Sequence, residues 1–219
     1  MILYHGSKGG IKGDISPKSR SRCDFGSGFY MGEDELQTQI LVCGDQNPVF
    51  YKVDFHIEAI PEERILRLKR DATWLNFVLL NRGYFNQLKG TKFYNDIVDL
   101  TKNKDVVIGP IADDGYRIAI RDFKVNDCSD YVLLNALIDH ELGRQISILT
   151  EEACKLVSIC EERIPEKAEI ARLVQLGRKN REIGDERYRY HKRHYNHIGK
   201  RRDEIIKEVL NNERAKRVL

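Results

Sequence analysis

The sequence contains no segment that is long and apolar enough to cross a membrane. Its longest mainly apolar runs, such as residues 74–80, are far shorter than the roughly 18 residues that a spanning helix needs. Met1 leads straight into an apolar strand, without the basic stretch that opens a secretory signal. We therefore expect a soluble, cytoplasmic protein without a membrane partner.

Cysteine is scarce, and its spacing indicates no covalent framework. The chain has five cysteines, an odd number, and none of them lies in a CxxC pair. Neither a disulfide scaffold nor a zinc knuckle is therefore indicated, and the pattern fits a reducing compartment. The cysteines are Cys23, Cys43, Cys128, Cys154 and Cys160.

A large net charge is also missing, but the charge is unevenly distributed. The 37 basic and 34 acidic side chains leave a net charge of +3. Residues 178–219 hold 14 basic and 7 acidic residues, whereas residues 1–177 hold 23 and 27. With 41% hydrophobic residues in 219, the chain can fold as one main domain with an appendage. The basic charge is concentrated in that C-terminal tail.

The pattern of apolar residues, caps and turns predicts a mixture of strands and helices. In chain order, it predicts strands at 2–5, 49–57, 106–109 and 145–149, and helices at 33–42, 71–82, 129–141 and from 151. Residues 8–21 are predicted to form a loop. Strands and helices do not alternate regularly, which favours an α+β domain over a doubly wound one.

The tail is predicted to be helical from Glu166 onward, with interruptions near Gly177 and Gly184. Residues 185–219 contain no proline and are rich in Arg, Glu, Lys, Ile and Leu. We expect them to form one long, mostly exposed helix, alone or paired with another helix.

Four short motifs occur in an order that resembles a known superfamily. They are Leu3 to Ser7, Asp24 to Tyr30, Asp105 to Asp114 and Gln145 to Ala153. Together they resemble an uncharacterised bacterial family allied to ADP-ribosyltransferases, the superfamily of poly-ADP-ribose polymerases and diphtheria-type toxins. The resemblance implies a split mixed or antiparallel sheet with flanking helices in a domain of residues 1–162, followed by a basic helical extension of residues 163–219.

The resemblance implies a binding site for NAD, which would be a substrate. His5 would hydrogen-bond ribose hydroxyls, Gly6 would bind the nicotinamide amide through its backbone, and Tyr30 would stack on the nicotinamide ring. The full set of expected NAD-binding residues is His5, Gly6, Ser7, Phe29 and Tyr30. Taken singly, His5 also fits a strand-end histidine, Tyr30 a packed ring, and Gly26 and Gly28 a tight turn.

Gln145 falls where the superfamily commonly has a catalytic glutamate, so His5, Tyr30 and Gln145 are the expected catalytic residues. Breaking the bond between nicotinamide and ribose builds positive charge on the sugar, and a nearby negative charge stabilises it. Glutamine offers the hydrogen bond without that charge. The acids that would stand in for it are Asp113, Asp114, Glu141 and Glu151, although Glu151 also fits a helix N-terminus and the two aspartates a turn.

The expected function is transfer of ADP-ribose from NAD to a protein or nucleic-acid acceptor. The resemblance further implies a toxin or conflict effector held by an antitoxin. Because the tail is basic and the motif-bearing body acidic, we expect the tail to recognise a substrate or a partner such as an antitoxin. The alternative is a binding module that keeps NAD or a related nucleotide but reacts weakly or not at all, and acts through a partner. Gln145→Glu should increase turnover if the chain is a weakened enzyme, and should not do so if its pocket cannot hold NAD.

The tail allows two further interpretations. Residues 187–202 interleave Arg, Lys and Tyr, which suits contacts to phosphates and bases, although acidic residues nearby also fit a solvated or partner-binding helix. His191, His194 and His197 recur every third residue, which fits a metal site less well than a basic surface because no acidic or cysteine ligand accompanies them. No metal cofactor is expected.

Overall fold

The structure is a computed structural model, and it describes residues 1–18, 23–44, 47–112, 117–138 and 143–217. The strands are β1 (Ile2–Ser7), β2 (Phe29–Gly32), β3 (Val49–Phe55), β4 (Ile65–Arg67), β5 (Val106–Pro110), β6 (Arg144–Ile148) and β7 (Val157–Arg163). The helices are α1 (Glu35–Val42), α2 (Ala72–Asn81), α3 (Lys92–Val98), α4 (Arg117–Lys124), α5 (Asp130–Ile138), α6 (Glu151–Cys154), α7 (Lys167–Tyr195) and α8 (Arg202–Arg217).

The strands form one mixed sheet in the order β4-β5-β6-β2-β1-β3-β7. Strands β4 and β5 run parallel, and the other neighbours are antiparallel. The pairing is weakest at the centre, because β1 and β2 are in register only at Tyr4↔Gly32, whereas β1 pairs with β3 from Ile2 to Ser7. This open sheet with flanking helices confirms the predicted α+β fold and its long C-terminal helix.

Local sequence signals account for several elements. The residues Val49, Tyr51, Val53 and Phe55 alternate along β3 and are all buried on one face of the sheet. Asp71 caps α2, since its carboxylate accepts from the backbone N–H of Trp74 at 3.0 Å. The α2 helix is core, as predicted, because Trp74 is fully buried and its indole donates to the carbonyl of Pro110.

The sheet separates two apolar layers. One layer packs strand residues such as Leu3, Met31 and Ile146 under the loop that carries Ile11 and Ile15. The other holds α2, α4 and α5 against the opposite face, together with side chains from α7 and α8. A smaller cluster joins α1 to the start of α7. Both faces of the central strands are therefore covered by protein.

The extension differs from the sequence prediction in two ways. The predicted interruptions near Gly177 and Gly184 are wrong, because α7 is continuous and both glycines are buried in it. A β-carbon on Gly177 would lie 3.0 Å from a methyl group of Ile40, so the glycine permits close packing of α7 on α1. A single helix over 185–219 is also wrong, because the chain turns between α7 and α8, with Gly199 at φ +83°.

No helix in the described part of the chain combines the length and apolar character that crossing a bilayer requires.

Candidate functional site

The expected site residues lie where β1 and β2 separate. After the one registered pair, Tyr4↔Gly32, β1 pairs in the described sheet with β3 alone, through Gly6↔Phe50 and Ser7↔Val49. On the other side, β2 pairs with β6 along its whole length. The sheet therefore opens between two firmly paired halves, at the end of β1 that carries His5.

His5 spans this opening through its side chain. Its Nδ1 lies 2.6 Å from the carbonyl oxygen of Tyr30 on β2, and its ring stacks on Phe29 with centroids 4.5 Å apart. A carbonyl only accepts, so Nδ1 carries the proton and Nε2 is an acceptor. Burial lowers the pKa of His5, although the bond to Tyr30 opposes this, so the ring is neutral at neutral pH.

Gly6 lies directly against α1. A β-carbon at this position would be 2.7 Å from Cγ2 of Val42 and 3.0 Å from the carbonyl oxygen of Thr38. Any other residue would push the helix away from β1, so glycine is required here for close approach. The neighbouring Ser7 is partly buried and ends the strand.

Tyr30 holds the glycine-rich turn in front of β2. Its hydroxyl accepts from the backbone N–H of Phe25 at 2.9 Å and donates to the carbonyl of Gly26 at 2.8 Å. Burial raises the pKa of this hydroxyl, which therefore stays protonated and keeps donating. The Tyr30 ring lies beside Phe25, with centroids 6.4 Å apart. The hydroxyl group of Tyr30 thus has a structural role, because it holds the turn through Phe25 and Gly26.

Gln145 is anchored through its amide nitrogen. The residue pairs with Gly32 on one side and with Gly109 on the other. Its Nε2 lies 2.9 Å from Oδ2 of Asp24 and 3.3 Å from the carbonyl oxygen of Pro110. The Gln145 side chain is therefore held beside Asp24, a residue to which the sequence motifs assign no role.

The structure brings the expected residues onto three adjacent strands but divides their side chains between two faces. Because side chains alternate along a strand, the pair Tyr4↔Gly32 places Tyr30 and Gln145 on one face and His5 with Phe29 on the other. His5 meets the backbone of Tyr30 and not its ring. A ligand that contacts both rings would have to occupy the opening between β1 and β2.

Two residues of this region were not predicted from the sequence. Asp24, whose side chain is 10% exposed, forms an ion pair with Arg82 at 2.6 Å. Asp24 lies in a motif noted above, so its position before the glycine-rich turn was a signal without an assigned role. Arg82 ends α2 and gave no signal, because its partner is 58 residues away in the sequence.

Of the four acids considered as substitutes for the missing glutamate, Glu151 is the one that the structure describes. Glu151 is exposed in the first turn of α6, which agrees with a helix N-terminal charge. The other three, Asp113, Asp114 and Glu141, lie outside the described residues. Among the described acids, Asp24 is the one in contact with Gln145.

The tail histidines lie in different environments. His191 is buried, whereas His194 and His197 are exposed. No group of three or more metal-ligand side chains comes together in the ranges that the structure describes. Within the predicted nucleic-acid contact at 187–202, Lys192 pairs with Asp122 and Asp127 of the body, at 2.9 and 2.6 Å.

The polar groups that the described residues offer in this region are hydrogen-bond acceptors and do not include a strong acid or base. Neutral His5 offers an acceptor nitrogen, and the Gln145 carboxamide offers an oxygen, because its nitrogen is already engaged. Asp24 provides a negative charge behind that carboxamide, partly balanced by Arg82. Such a site suits a ligand rich in hydroxyl groups that becomes positively charged as it reacts.

Comparisons with known proteins place the chain in a family. No curated protein and no solved structure matches it. Residues 1–159 match the family DUF3990, described as a protein of unknown function, and the chain therefore belongs to that family.

Proposed function

We propose that the chain is an NAD-dependent ADP-ribosyltransferase that transfers ADP-ribose to a macromolecular acceptor. The proposal extends the family membership through the resemblance of its four motifs to that superfamily. The observation that carries it is the position of His5, held neutral by burial and bonded to the carbonyl of Tyr30 where β1 and β2 separate.

The residues at the opening have the chemistry that NAD requires. The Nε2 of neutral His5 accepts, and ribose hydroxyls donate, so the two are complementary. The backbone of Gly6 continues β1 beside the opening, and its missing side chain lets α1 pack directly against this strand. The ring of Phe29 packs flat on His5 and fixes the imidazole plane. These features support the binding of a ribose at the end of β1.

The proposed reaction breaks the bond between C1′ of the ribose and the nicotinamide nitrogen. The electron pair of that bond goes to the pyridinium, which leaves as neutral nicotinamide. A nucleophile of the acceptor supplies a new electron pair to C1′ and releases a proton. The sugar gains positive charge in between, so the Gln145 oxygen and the charge of Asp24 would favour the step.

The acceptor is a protein or a nucleic acid, and the charge distribution favours recognition through the tail. Residues 1–177 have an excess of acids and residues 178–219 an excess of bases. On α7, Arg189 and Arg193 are exposed and available to an acidic surface. The role of a toxin held by an antitoxin belongs to the same proposal and depends on the resemblance alone.

The test is incubation of the purified chain with labelled NAD, with and without cell lysate, while nicotinamide release and labelled macromolecules are followed. We expect turnover in the wild type and a loss of about 10²-fold or more in His5→Ala, because one well-placed contact is removed. The control is His56→Ala, since His56 is 55% exposed and lies away from the opening, in the turn after β3.

The other outcomes separate the rival functions. NAD binding without turnover would favour a binding module, in which the glutamine at position 145 lacks the charge that bond breaking needs. Absence of both binding and turnover would overturn the proposal. Equal losses in His5→Ala and His56→Ala would show that the opening between β1 and β2 is not the site.

A further inference from the structure

Asp24 accepts hydrogen bonds through both of its carboxylate oxygens. Oδ1 accepts from Nε of Arg82 at 2.8 Å, and Oδ2 accepts from Nε2 of Gln145 at 2.9 Å. The backbone N–H of Ala112 also points to Oδ2, at 3.3 Å. The carboxylate therefore connects Arg82, at the end of α2, to the side chain of Gln145 on β6.

The partners of Gln145 determine which way its carboxamide faces. Asp24 and the carbonyl of Pro110 only accept hydrogen bonds, so the amide nitrogen must face both of them. The same carbonyl also accepts from the indole of Trp74 at 3.1 Å, which fixes its position from the core side. The oxygen Oε1 is consequently the end of the side chain that remains to accept from a ligand.

We propose that Asp24 is a positioning residue, which holds Gln145 so that Oε1 accepts from a ribose hydroxyl of NAD while the carboxylate adds negative charge behind it. This inference rests on the proposed function. Without Asp24, only the longer bond to the Pro110 carbonyl would favour this orientation of the glutamine, whereas a glutamate would accept with either oxygen. Asp24 thereby gives a neutral side chain the direction and part of the charge that a glutamate has.

The substitution Asp24→Asn has a predictable effect on Gln145. Two charged N–H groups of Arg82 face Oδ1 at 2.8 and 2.6 Å, whereas the Ala112 N–H faces Oδ2 at 3.3 Å, so the new asparagine would turn its oxygen to Arg82 and its nitrogen to Gln145. Two NH₂ groups would then face each other, and Gln145 would have to rotate its oxygen inward, away from the ligand. The loss should fall on the rate of bond breaking more than on NAD binding.

The experiment measures kcat and KM for nicotinamide release by the wild type, by Asp24→Asn, and by Asp24→Asn combined with Gln145→Glu. We expect Asp24→Asn to lower kcat by about 10²-fold with a nearly unchanged KM. The double variant should recover most of that loss, because the introduced carboxylate accepts from the asparagine and still presents an oxygen. Asp96→Asn is the control, since Asp96 is exposed on α3 and pairs with Lys92.

A purely structural role for Asp24 would leave the double variant as slow as the single one, because the ion pair between Asp24 and Arg82 is lost in both. That result, or wild-type kcat in Asp24→Asn, would overturn the inference while the proposed function stands. A wild-type chain that releases no nicotinamide would overturn the proposed function and this inference with it.

A second measurement covers the case in which Asp24→Asn does not fold. In heteronuclear NMR of the wild type, we expect the side-chain amide protons of Gln145 to exchange slowly, because both partners hold them. Gln175, exposed on α7, is the internal reference. Exchange of the Gln145 protons as fast as that of Gln175 would overturn the inference.

Discussion

His5 combines burial with a single directed hydrogen bond. The imidazole is held between Phe29 and Tyr51, with centroids 4.5 and 5.9 Å away, and it donates to the carbonyl of Tyr30. Desolvation disfavours the charged ring more than this bond favours it, so the pKa of His5 is lowered in the folded chain. Protonation of His5 is therefore coupled to unfolding.

The coupling predicts how stability depends on pH. In the unfolded chain His5 takes up a proton near its ordinary pKa of 6.5, whereas the folded chain takes it up only at lower pH. The free energy of unfolding should therefore fall as the pH drops below about 6.5, by at most ~1.4 kcal/mol per unit from this residue. His5→Asn removes the titration but can still donate to the carbonyl, so it should flatten this dependence.

Urea unfolding between about pH 7 and pH 5 measures the effect. The internal control is the range above about pH 8, where His5 is neutral in both the folded and the unfolded chain, so the wild type and His5→Asn should change in parallel there. An unchanged slope in His5→Asn would mean that His5 is not buried as a neutral ring.

The contact between the turn before β2 and strand β6 depends on the absence of a side chain at Gly28. A β-carbon there would lie 2.1 Å from Oγ of Ser147 and 2.8 Å from the carbonyl oxygen of Ile148. The second atom belongs to the backbone of β6 and cannot rotate away. Gly28→Ala should therefore separate the turn from β6 and lower the free energy of unfolding by about 1–3 kcal/mol.

Gly9→Ala is the comparison for this substitution, because a β-carbon on Gly9 would meet nothing within 4 Å. It should be neutral or slightly stabilising, since alanine reduces the entropy of the unfolded chain. Thermal unfolding of the two variants reports the difference. Equal unfolding temperatures for the two variants would show that the turn and strand β6 tolerate a side chain at Gly28.

The elements that the sequence predicted are those with a local signal. Strand β3 shows a period of two, and α2 has an aspartate cap and an apolar side. Strand β7 was not predicted because most of its residues, including Glu161 and Glu162, are exposed along the edge of the sheet. Continuity of α7 through Gly177 depends on the fit against Ile40, which no local pattern contains.

In the candidate site, too, the local sequence indicates some features and only the tertiary fold determines the others. The motifs assigned His5, Tyr30 and Gln145 to one NAD site, and the structure places them on the paired strands β1, β2 and β6. The division of their side chains between two faces follows from the register, which sequence motifs do not specify. The contact of Asp24 with Gln145 joins residues 121 positions apart and arises only from the tertiary fold.

The C-terminal extension is part of the folded body. The family match ends at residue 159, before α7 begins, yet Leu173 and Tyr188 of α7 are buried in the clusters that cover the sheet. Tyr188 also donates to Asp122 on α4 at 2.6 Å, and Lys192 pairs with the same carboxylate. We therefore expect the tail to act as part of the folded body and not as a detachable recognition helix.

Tyr188 tests the contribution of the extension to the whole molecule. Its side chain is 1% exposed, so Tyr188→Ala should leave a cavity and lower the free energy of unfolding by about 3–5 kcal/mol. Tyr190→Ala on the same helix should change it by only about 0.5 kcal/mol, since Tyr190 is 49% exposed. Deletion of residues 178–219 removes Tyr188 together with α8, and the remaining chain should lose cooperative unfolding in calorimetry. A truncated chain that melts sharply at the wild-type temperature would show instead that residues 1–177 fold independently of the tail, which would restore the tail as a separate recognition element.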